Sequence, residues 1–444
     1  MLDLRKKPCY LGSPRLEHDA VTDSIPSLGT PPGQPVSQER FYGWVIVGAC
    51  FFLTLTLGET FWTFGVFFKP LQQDFGWSRA GISGAFTLCM VILGLINIAA
   101  GWLTDRLGPR QLIVGCGFFM GVGFFLCSRL EALWQLYLFF GVFTGIGMSG
   151  TWAPMLSTVA RWFFRNRSLM SGILSAGPAA GIVLMPPFIT WLIGLVGWRI
   201  SFALIGGITL SSLTLAAFFL KRDPGQIGTS PFGMDEKTRD WVDLQNRGLS
   251  LSQAFHKPSF WLLNLISLCD SLSVNVVVVH IVPHIITLDI APIRAATVLS
   301  LAAGVSIPAR IAVGYLADRI GNRRGLAFCL VMSVIAFAIL PFAQGMMSLS
   351  VFAVLYGIGL WSAGAVMSPL IADLFGLKAH GSIFSCMVFS ATFGGGFGPV
   401  VVGALFDLTG TYRAGFLVCL AGSIVSLASL WFIRRSQPFL VRES

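Results

Sequence analysis

Apolar runs separated by short polar gaps fill most of this 444-residue chain. A helix needs about 20 consecutive apolar residues to cross the hydrocarbon core of a bilayer. Twelve runs approach that length, at residues 43–68, 79–102, 111–128, 133–160, 168–193, 199–220, 258–282, 293–316, 325–343, 349–374, 382–406 and 413–433. The pattern predicts an all-α membrane protein with twelve transmembrane helices.

The longest polar stretch inside this pattern, residues 221–257, separates the sixth run from the seventh. It predicts a cytoplasmic linker between two six-helix bundles, which occupy residues 41–220 and 258–433. Residues 1–40 are polar and lack the apolar stretch of about 7–15 residues that a signal peptide needs. We expect them to form a disordered cytoplasmic tail, and residues 434–444 to form a second cytoplasmic tail.

Composition supports a membrane location and argues against a nucleic-acid partner. Hydrophobic residues make up 55% of the chain and charged residues 11%, whereas soluble domains have about 25% charged residues. The net charge of +10 is concentrated in alternate gaps between the apolar runs, as expected for cytoplasmic loops. The basic gaps contain Arg106 and Arg110, Arg161, Arg165 and Arg167, the central linker, Arg319, Arg323 and Arg324, and Arg434 and Arg435. Both termini are therefore predicted to be cytoplasmic.

A short polar motif occurs twice, at equivalent places in the two halves. It reads Gly-Trp-Leu-Thr-Asp-Arg-Leu-Gly-Pro-Arg at residues 101–110 and Gly-Tyr-Leu-Ala-Asp-Arg-Ile-Gly-Asn-Arg-Arg at residues 314–324. We expect Asp105, Arg106, Asp318 and Arg319 to form contacts between spans that hold one conformation and break in another.

Three ionisable residues lie inside apolar runs, where a charge is costly and usually faces a wet cavity. Arg310 lies in the eighth run, and its planar fork of donors suits a carboxylate. It is either a binding residue for an anionic substrate or half of an internal ion pair. Glu59, in the first run, and Asp270, in the seventh, are candidate proton carriers; a helix–helix hydrogen bond is the alternative for Glu59.

Other candidates rest on polarity or aromatic character at membrane depth. Trp62 shares a helix face with Glu59 at a spacing of three residues. Asn275 belongs to a polar patch that begins at Asp270 and either lines a water path or pairs with Arg310. The remaining cavity candidates are Trp361, Tyr137 and Asn264.

Motifs for other kinds of chemistry are missing from the sequence. The chain has no Gly-x-x-x-x-Gly-Lys-Ser/Thr, Gly-x-Ser-x-Gly or His-Glu-x-x-His motif and no Cys-x-x-Cys pair. The nine cysteines mostly lie within apolar runs, as packing residues do. We therefore predict that the protein is not an enzyme and has no metal or cofactor.

Four further motifs carry a resemblance to a known family. They are Tyr42-Gly43-Trp44, Phe75-Gly76-Trp77-Ser78-Arg79, the stretch from Arg161-Trp162-Phe163-Phe164-Arg165 to Gly172, and Gly197-Trp198-Arg199. Together with the repeated loops they resemble the major facilitator superfamily. The similar branch contains the monocarboxylate transporters and their bacterial oxalate/formate antiporter relatives. The resemblance runs from about Phe41 to Ile433.

This resemblance implies proton-coupled symport, or exchange, of small carboxylates by alternating access between two bundles. It also matches Arg310 to the family's substrate arginine in the eighth span. The sequence departs from animal members at two places, because Ser306 replaces an aspartate and Trp62 stands where they have a lysine. The family's proton-coupling lysine is therefore absent from this chain. Glu59 or Asp270 would take its place as proton carrier, or the substrate would enter as an anion by exchange.

The sequence thus predicts a secondary transporter of lactate-like or pyruvate-like monocarboxylates that works by proton symport. Anion exchange and efflux of larger amphipathic organic anions are the alternatives. The expected partners are a small organic anion, a proton and the lipid bilayer, and the expected oligomeric state is a monomer. The loops resemble those of bacterial members, which predicts a bacterial inner membrane.

Overall fold

The structure is a computed structural model that describes residues 42–233 and 248–433, apart from the side chains of residues 57–63, 79–80, 182 and 292–293. The predicted tails and the middle of the linker lie outside the described residues. Within the described residues the backbone is almost entirely helical and contains only two isolated bridges of β type.

In the described part of the chain, twelve long helices follow the twelve apolar runs. They are α1 Gly43–Phe75, α2 Arg79–Leu107, α3 Pro109–Cys127, α4 Leu133–Trp162, α5 167–196, α6 198–219, α7 Pro258–Ile286, α8 Pro292–Ile320, α9 Asn322–Ile339, α10 Met346–Phe375, α11 His380–Thr409 and α12 Arg413–Phe432. Nearly all are long and apolar enough to cross a bilayer. The predicted twelve-helix architecture is confirmed.

Some helices depart from the simple pattern of runs and gaps. α5 and α6 form one continuous helical stretch whose direction changes at Gly197, where φ is 76°. Such a positive φ is disfavoured for side chains other than glycine. α1 extends to Phe75, beyond the apolar run that predicted it, because Gly76 ends the helix in the left-handed conformation.

Two of the sequence motifs meet at the ends of α1 and α6. The Trp198 Nε1 atom donates to Asp74 Oδ2 at 2.8 Å, and Arg199 Nη1 lies 3.1 Å from the same oxygen. The ring of Phe75 stacks on that of Trp77 with centroids 4.2 Å apart. These motifs therefore hold helix ends together within the first half.

The two halves approach each other most closely where α5 packs on α8 and α2 packs on α11. A Cβ atom on Gly314 of α8 would lie 2.3 Å from the carbonyl oxygen of Ser168 on α5. A Cβ atom on Gly101 of α2 would lie 2.3 Å from Ser385 Oγ on α11. Glycine at both positions allows the backbones of opposite halves to come into contact.

Candidate functional site

A cavity of about 390 Å³ lies between the two halves, lined by residues of α4, α5, α7, α8, α10 and α11. Its lining includes Trp152, Ser175, Ser267, Asp270, Arg310, Trp361, Met367, Phe384 and Met387. The structure thus brings together three residues that the sequence singled out separately: Arg310, Asp270 and Trp361. A larger cavity of about 780 Å³ surrounds Asp318 and Arg319 at the helix ends.

Breaks in two helices, one in each half, bring a tryptophan to this cavity. α4 is interrupted at Gly150, with φ −102° and ψ 25°, and Trp152 follows two residues later. α10 is interrupted at Gly359, with φ −77° and ψ −87°, and Trp361 follows two residues later. Interrupted helices at membrane depth are tolerated where they are buried in protein or line a cavity. Trp152 was missed by the sequence reasoning, although Gly150-Thr151-Trp152 resembles Gly359-Leu360-Trp361 in its spacing of glycine and tryptophan.

Arg310 reaches the cavity from α8 and contacts the opposite half. One Nη atom donates to the carbonyl oxygen of Ser175 on α5. Among the described residues, no group accepts a hydrogen bond from its Nε atom, and no carboxylate forms an ion pair with it. The guanidinium therefore retains donor capacity that an anion in the cavity can satisfy.

Asp270 approaches the same cavity from α7 and is 9% exposed. The Ser426 hydroxyl on α12 donates to its Oδ1 atom at 3.3 Å. The other carboxyl oxygen, Oδ2, has no hydrogen-bond partner in the described part of the chain. Of the two alternatives for the polar patch, a water path or a pair with Arg310, no ion pair between Asp270 and Arg310 is found among the described residues. Each of the two groups has a polar atom without a hydrogen-bond partner there.

Three sequence candidates are not among the residues that line this cavity. Asn264 donates to the Phe260 carbonyl oxygen and accepts from Ser390 on α11, both at 2.8 Å. Asn275 donates to the Ser271 carbonyl oxygen at 2.9 Å. The Tyr137 hydroxyl lies against α2, where it would be 2.0 Å from a Cβ atom on Gly84. Their side chains make contacts within or between helices in this structure, and their predicted roles in substrate binding stay predictions.

Glu59 and Trp62 lie on α1, but their side chains are outside the described part of the structure. Their predicted roles stay predictions.

The two aspartates of the repeated motif make equivalent contacts between the halves. Asp105, near the end of α2, accepts hydrogen bonds from the backbone N–H groups of Gly381 at 3.2 Å and Ser382 at 2.9 Å, where α11 begins. Asp318, near the end of α8, accepts from the N–H groups of Ser168 at 2.9 Å and Leu169 at 2.8 Å, where α5 begins. A carboxylate there satisfies unpaired N–H groups and complements the helix dipole. We call these two sets of contacts the aspartate clasps.

The arginines of the repeated motif do not take part in these contacts. The guanidinium of Arg106 lies 4.0 Å from the ring centroid of Trp102, and that of Arg319 lies 4.4 Å from the ring centroid of Tyr315. Each pair is one turn apart on its own helix, where a cation and an aromatic face attract each other. The predicted role of Arg106 and Arg319 in contacts between spans stays a prediction.

A different arginine supports the first clasp. Arg161, at the end of α4, lies 3.6 Å from Asp105 and 3.4 Å from Asp223 of the linker. It also donates to the Leu377 carbonyl oxygen at 3.2 Å, in the loop before α11. The sequence analysis used Arg161 to orient the helices and as part of a family motif, but it assigned no contact to this residue, because no sequence signal distinguishes a buried arginine at a span end from an exposed one.

Comparison with known proteins agrees with this architecture. The sequence profile of the Major Facilitator Superfamily matches residues 49–363 and 263–443. Monocarboxylate transporter 2 of Homo sapiens is 26% identical over 428 residues, which cover 92% of this chain and 88% of the human protein. Monocarboxylate transporter 13 of Rattus norvegicus is 27% identical over 391 residues, covering 86% of this chain and 87% of the rat protein.

Two solved structures share the fold. The proton:xylose symporter XylE, bound to 6-bromo-6-deoxy-D-glucose, superposes with a TM-score of 0.74 at 12% identity, over 88% of this chain and 96% of XylE. FucP in its outward conformation superposes with a TM-score of 0.68 at 16% identity, over 89% of this chain and all of FucP. The match of the family profile across both halves, together with the twelve-helix fold, shows that the chain belongs to the Major Facilitator Superfamily of membrane transporters.

Proposed function

We propose that this transporter carries a small monocarboxylate across the membrane together with a proton. The observation that carries the proposal is the cavity in which Arg310 and Asp270 each have a polar atom without a hydrogen-bond partner among the described residues. The similarity to monocarboxylate transporters along most of the chain supports the same substrate class.

Arg310 is the proposed carboxylate-binding residue. A charged side chain at the centre of a bilayer costs about 3 kcal/mol on insertion scales. Because Arg310 forms no ion pair among the described residues, no internal salt bridge is seen there to offset this free-energy cost. A substrate carboxylate would supply the missing charge and accept charge-assisted hydrogen bonds from the guanidinium.

Asp270 is the proposed proton carrier. Its carboxyl group lines the substrate cavity and is held by one hydrogen bond, so a proton can bind at Oδ2 without disrupting a network. Glu59 on α1 is the second candidate. A proton on either carboxyl would keep the occupied cavity close to electrical neutrality during the passage through the membrane.

The aspartate clasps are the proposed gate. We place them on the cytoplasmic side, because the basic gaps between helices share that side of the chain. Their formation closes the cytoplasmic ends of the two halves against each other. Release of both clasps would let the halves rock and open the cavity to the cytoplasm.

Uptake of labelled lactate into proteoliposomes, with and without an inward proton gradient, tests the proposal. Stimulation of uptake by the gradient is the expected result. Uptake that requires carboxylate inside the vesicles and does not depend on the proton gradient would mean that the protein works by anion exchange and not by symport. Failure of lactate and of every other monocarboxylate to enter would overturn the proposed substrate class.

Efflux of larger amphipathic anions is the second candidate function. The aromatic and methionine side chains of the cavity favour it, because they offer apolar surface beyond what a lactate ion covers. Vesicles loaded with such an anion would show loss of label that depends on the protein.

A further inference from the structure

The volume of the substrate cavity indicates how large the substrate is apart from its carboxylate group. Sites of about 300–1,000 Å³ are typical for drug-sized ligands. The cavity here, at about 390 Å³, falls within that range. A three-carbon acid held by Arg310 would leave much of the apolar wall in contact with water.

The charges that line the cavity limit the number of carboxylates. Arg310 is the one cation and Asp270 the one anion among the described lining residues. A second substrate carboxylate would find no second cation among them and would share the cavity with Asp270. The described lining therefore favours one carboxylate over two.

The apolar part of the lining is rich in aromatic and methionine side chains. Trp152 belongs to the first half, and Trp361, Phe384, Met367 and Met387 belong to the second. Trp152 and Trp361 are both partly exposed, whereas Phe384 and Met387 are 5% and 2% exposed. Aromatic rings and thioethers form favourable contacts with an aromatic ligand.

We propose that the preferred substrate is a monocarboxylate with an aromatic or similarly bulky apolar group, whose carboxylate binds Arg310 while the apolar group contacts Trp152 and Trp361. This inference rests on the proposed function and narrows its substrate class. Because the two tryptophans lie on opposite halves, the apolar group would contact both halves at once.

Equilibrium binding of lactate and 3-phenyllactate to the purified protein in lipid nanodiscs tests this inference by calorimetry. The two acids share the same 2-hydroxycarboxylate group and differ by one phenyl ring. Burial of that ring is expected to lower the dissociation constant at least about tenfold. Phenylsuccinate, which carries a second carboxylate, is expected to bind at least about tenfold more weakly than 3-phenyllactate.

Trp361→Ala and Trp152→Ala are the matched variants. Each is expected to weaken binding of 3-phenyllactate about tenfold more than it weakens binding of lactate, so that the preference for the aromatic acid is lost. Trp134→Ala is the control, since Trp134 is 64% exposed and lies outside the cavity lining. Both tryptophan variants are measured so that the test can still be read if one of them fails to fold.

Equal binding of lactate and 3-phenyllactate by the wild-type protein would overturn this inference and leave carboxylate transport standing. If both tryptophan variants still prefer 3-phenyllactate to lactate as strongly as the wild-type protein does, the inference is also overturned, because the phenyl ring would then bind elsewhere. Absence of binding by either acid would overturn the inference and the proposed function together.

Discussion

At the scale of single residues, the proposed site depends on polar atoms that have no hydrogen-bond partner in the described part of the protein. Arg310 and Asp270 line one cavity, yet no ion pair joins them among the described residues. Had they been paired, Arg310 would have a structural role and the cavity would offer little to an anion. Their separation makes distinct roles for the two groups possible.

Asp270→Asn is expected to abolish stimulation by the proton gradient while exchange of labelled for unlabelled acid continues. The amide preserves the shape of the side chain and a hydrogen bond to Ser426, but it cannot take up a proton. Uptake with and without the gradient, measured beside exchange, separates the two activities. Glu131→Gln, at an exposed position, is the control. Retention of full stimulation in Asp270→Asn would assign the proton to another residue.

Polar or aromatic character at membrane depth was the sequence signal that singled out Arg310, Asp270 and Trp361 as candidate cavity residues. The same signal singled out Asn264 and Asn275, because an amide that bonds to a neighbouring backbone carbonyl is also polar at depth. A sequence shows that a polar group needs a partner. It does not show whether that partner is another helix or a ligand.

At the scale of helices, close approach of the two halves depends on small residues. A Cβ atom on Gly314 would lie within 3 Å of both the carbonyl carbon and the oxygen of Ser168. Since these are backbone atoms, the clash is relieved only if α5 and α8 separate. Gly304, on the same helix, has no atom within 4 Å of the position where its Cβ would be.

Gly314→Ala is therefore expected to destabilise the protein by about 1–3 kcal/mol. Gly304→Ala should be neutral, or stabilising by up to about 1 kcal/mol, because alanine has the higher helix propensity. Thermal unfolding of both variants in one detergent measures the difference. Equal unfolding temperatures would mean that α5 and α8 do not approach as closely as the structure indicates.

The number and order of helices followed from the apolar runs because each span must be about 20 residues long in a bilayer. The breaks at Gly150 and Gly359 could not be predicted from the sequence, since glycine is common in transmembrane helices and most glycines serve packing. Only the tertiary structure shows that these two breaks turn tryptophans toward the cavity.

At the scale of the whole molecule, the repeated motif connects the two halves through similar contacts at two places. Each aspartate ends a helix in one half and binds the first turn of a helix in the other half. The sequence predicted contacts between spans but assigned them to the arginines as well as the aspartates. The contribution of Arg161 emerged only from the fold, because it joins segments that are distant in sequence.

Asp318→Asn is expected to accelerate hydrogen exchange at the amides of Ser168 and Leu169 by about tenfold, because a charge-assisted hydrogen bond contributes about 1.5–3 kcal/mol. Asp105→Asn should do the same at Gly381 and Ser382. Hydrogen–deuterium exchange with mass spectrometry measures both segments in one experiment. Asp407→Asn, at the opposite end of α11, is the control and should alter neither segment. Unchanged exchange in both variants would mean that the clasps do not hold the halves together.

The most direct test of the account is transport by Arg310→Gln in proteoliposomes under an inward proton gradient. Labelled lactate and 3-phenyllactate would be compared with the wild-type protein, after size-exclusion profiles have shown that both proteins are folded. We expect uptake by the wild-type protein to be stimulated by the gradient, and uptake by Arg310→Gln to be no higher than that of protein-free vesicles. Wild-type rates in Arg310→Gln would contradict the central claim that this arginine binds the carboxylate.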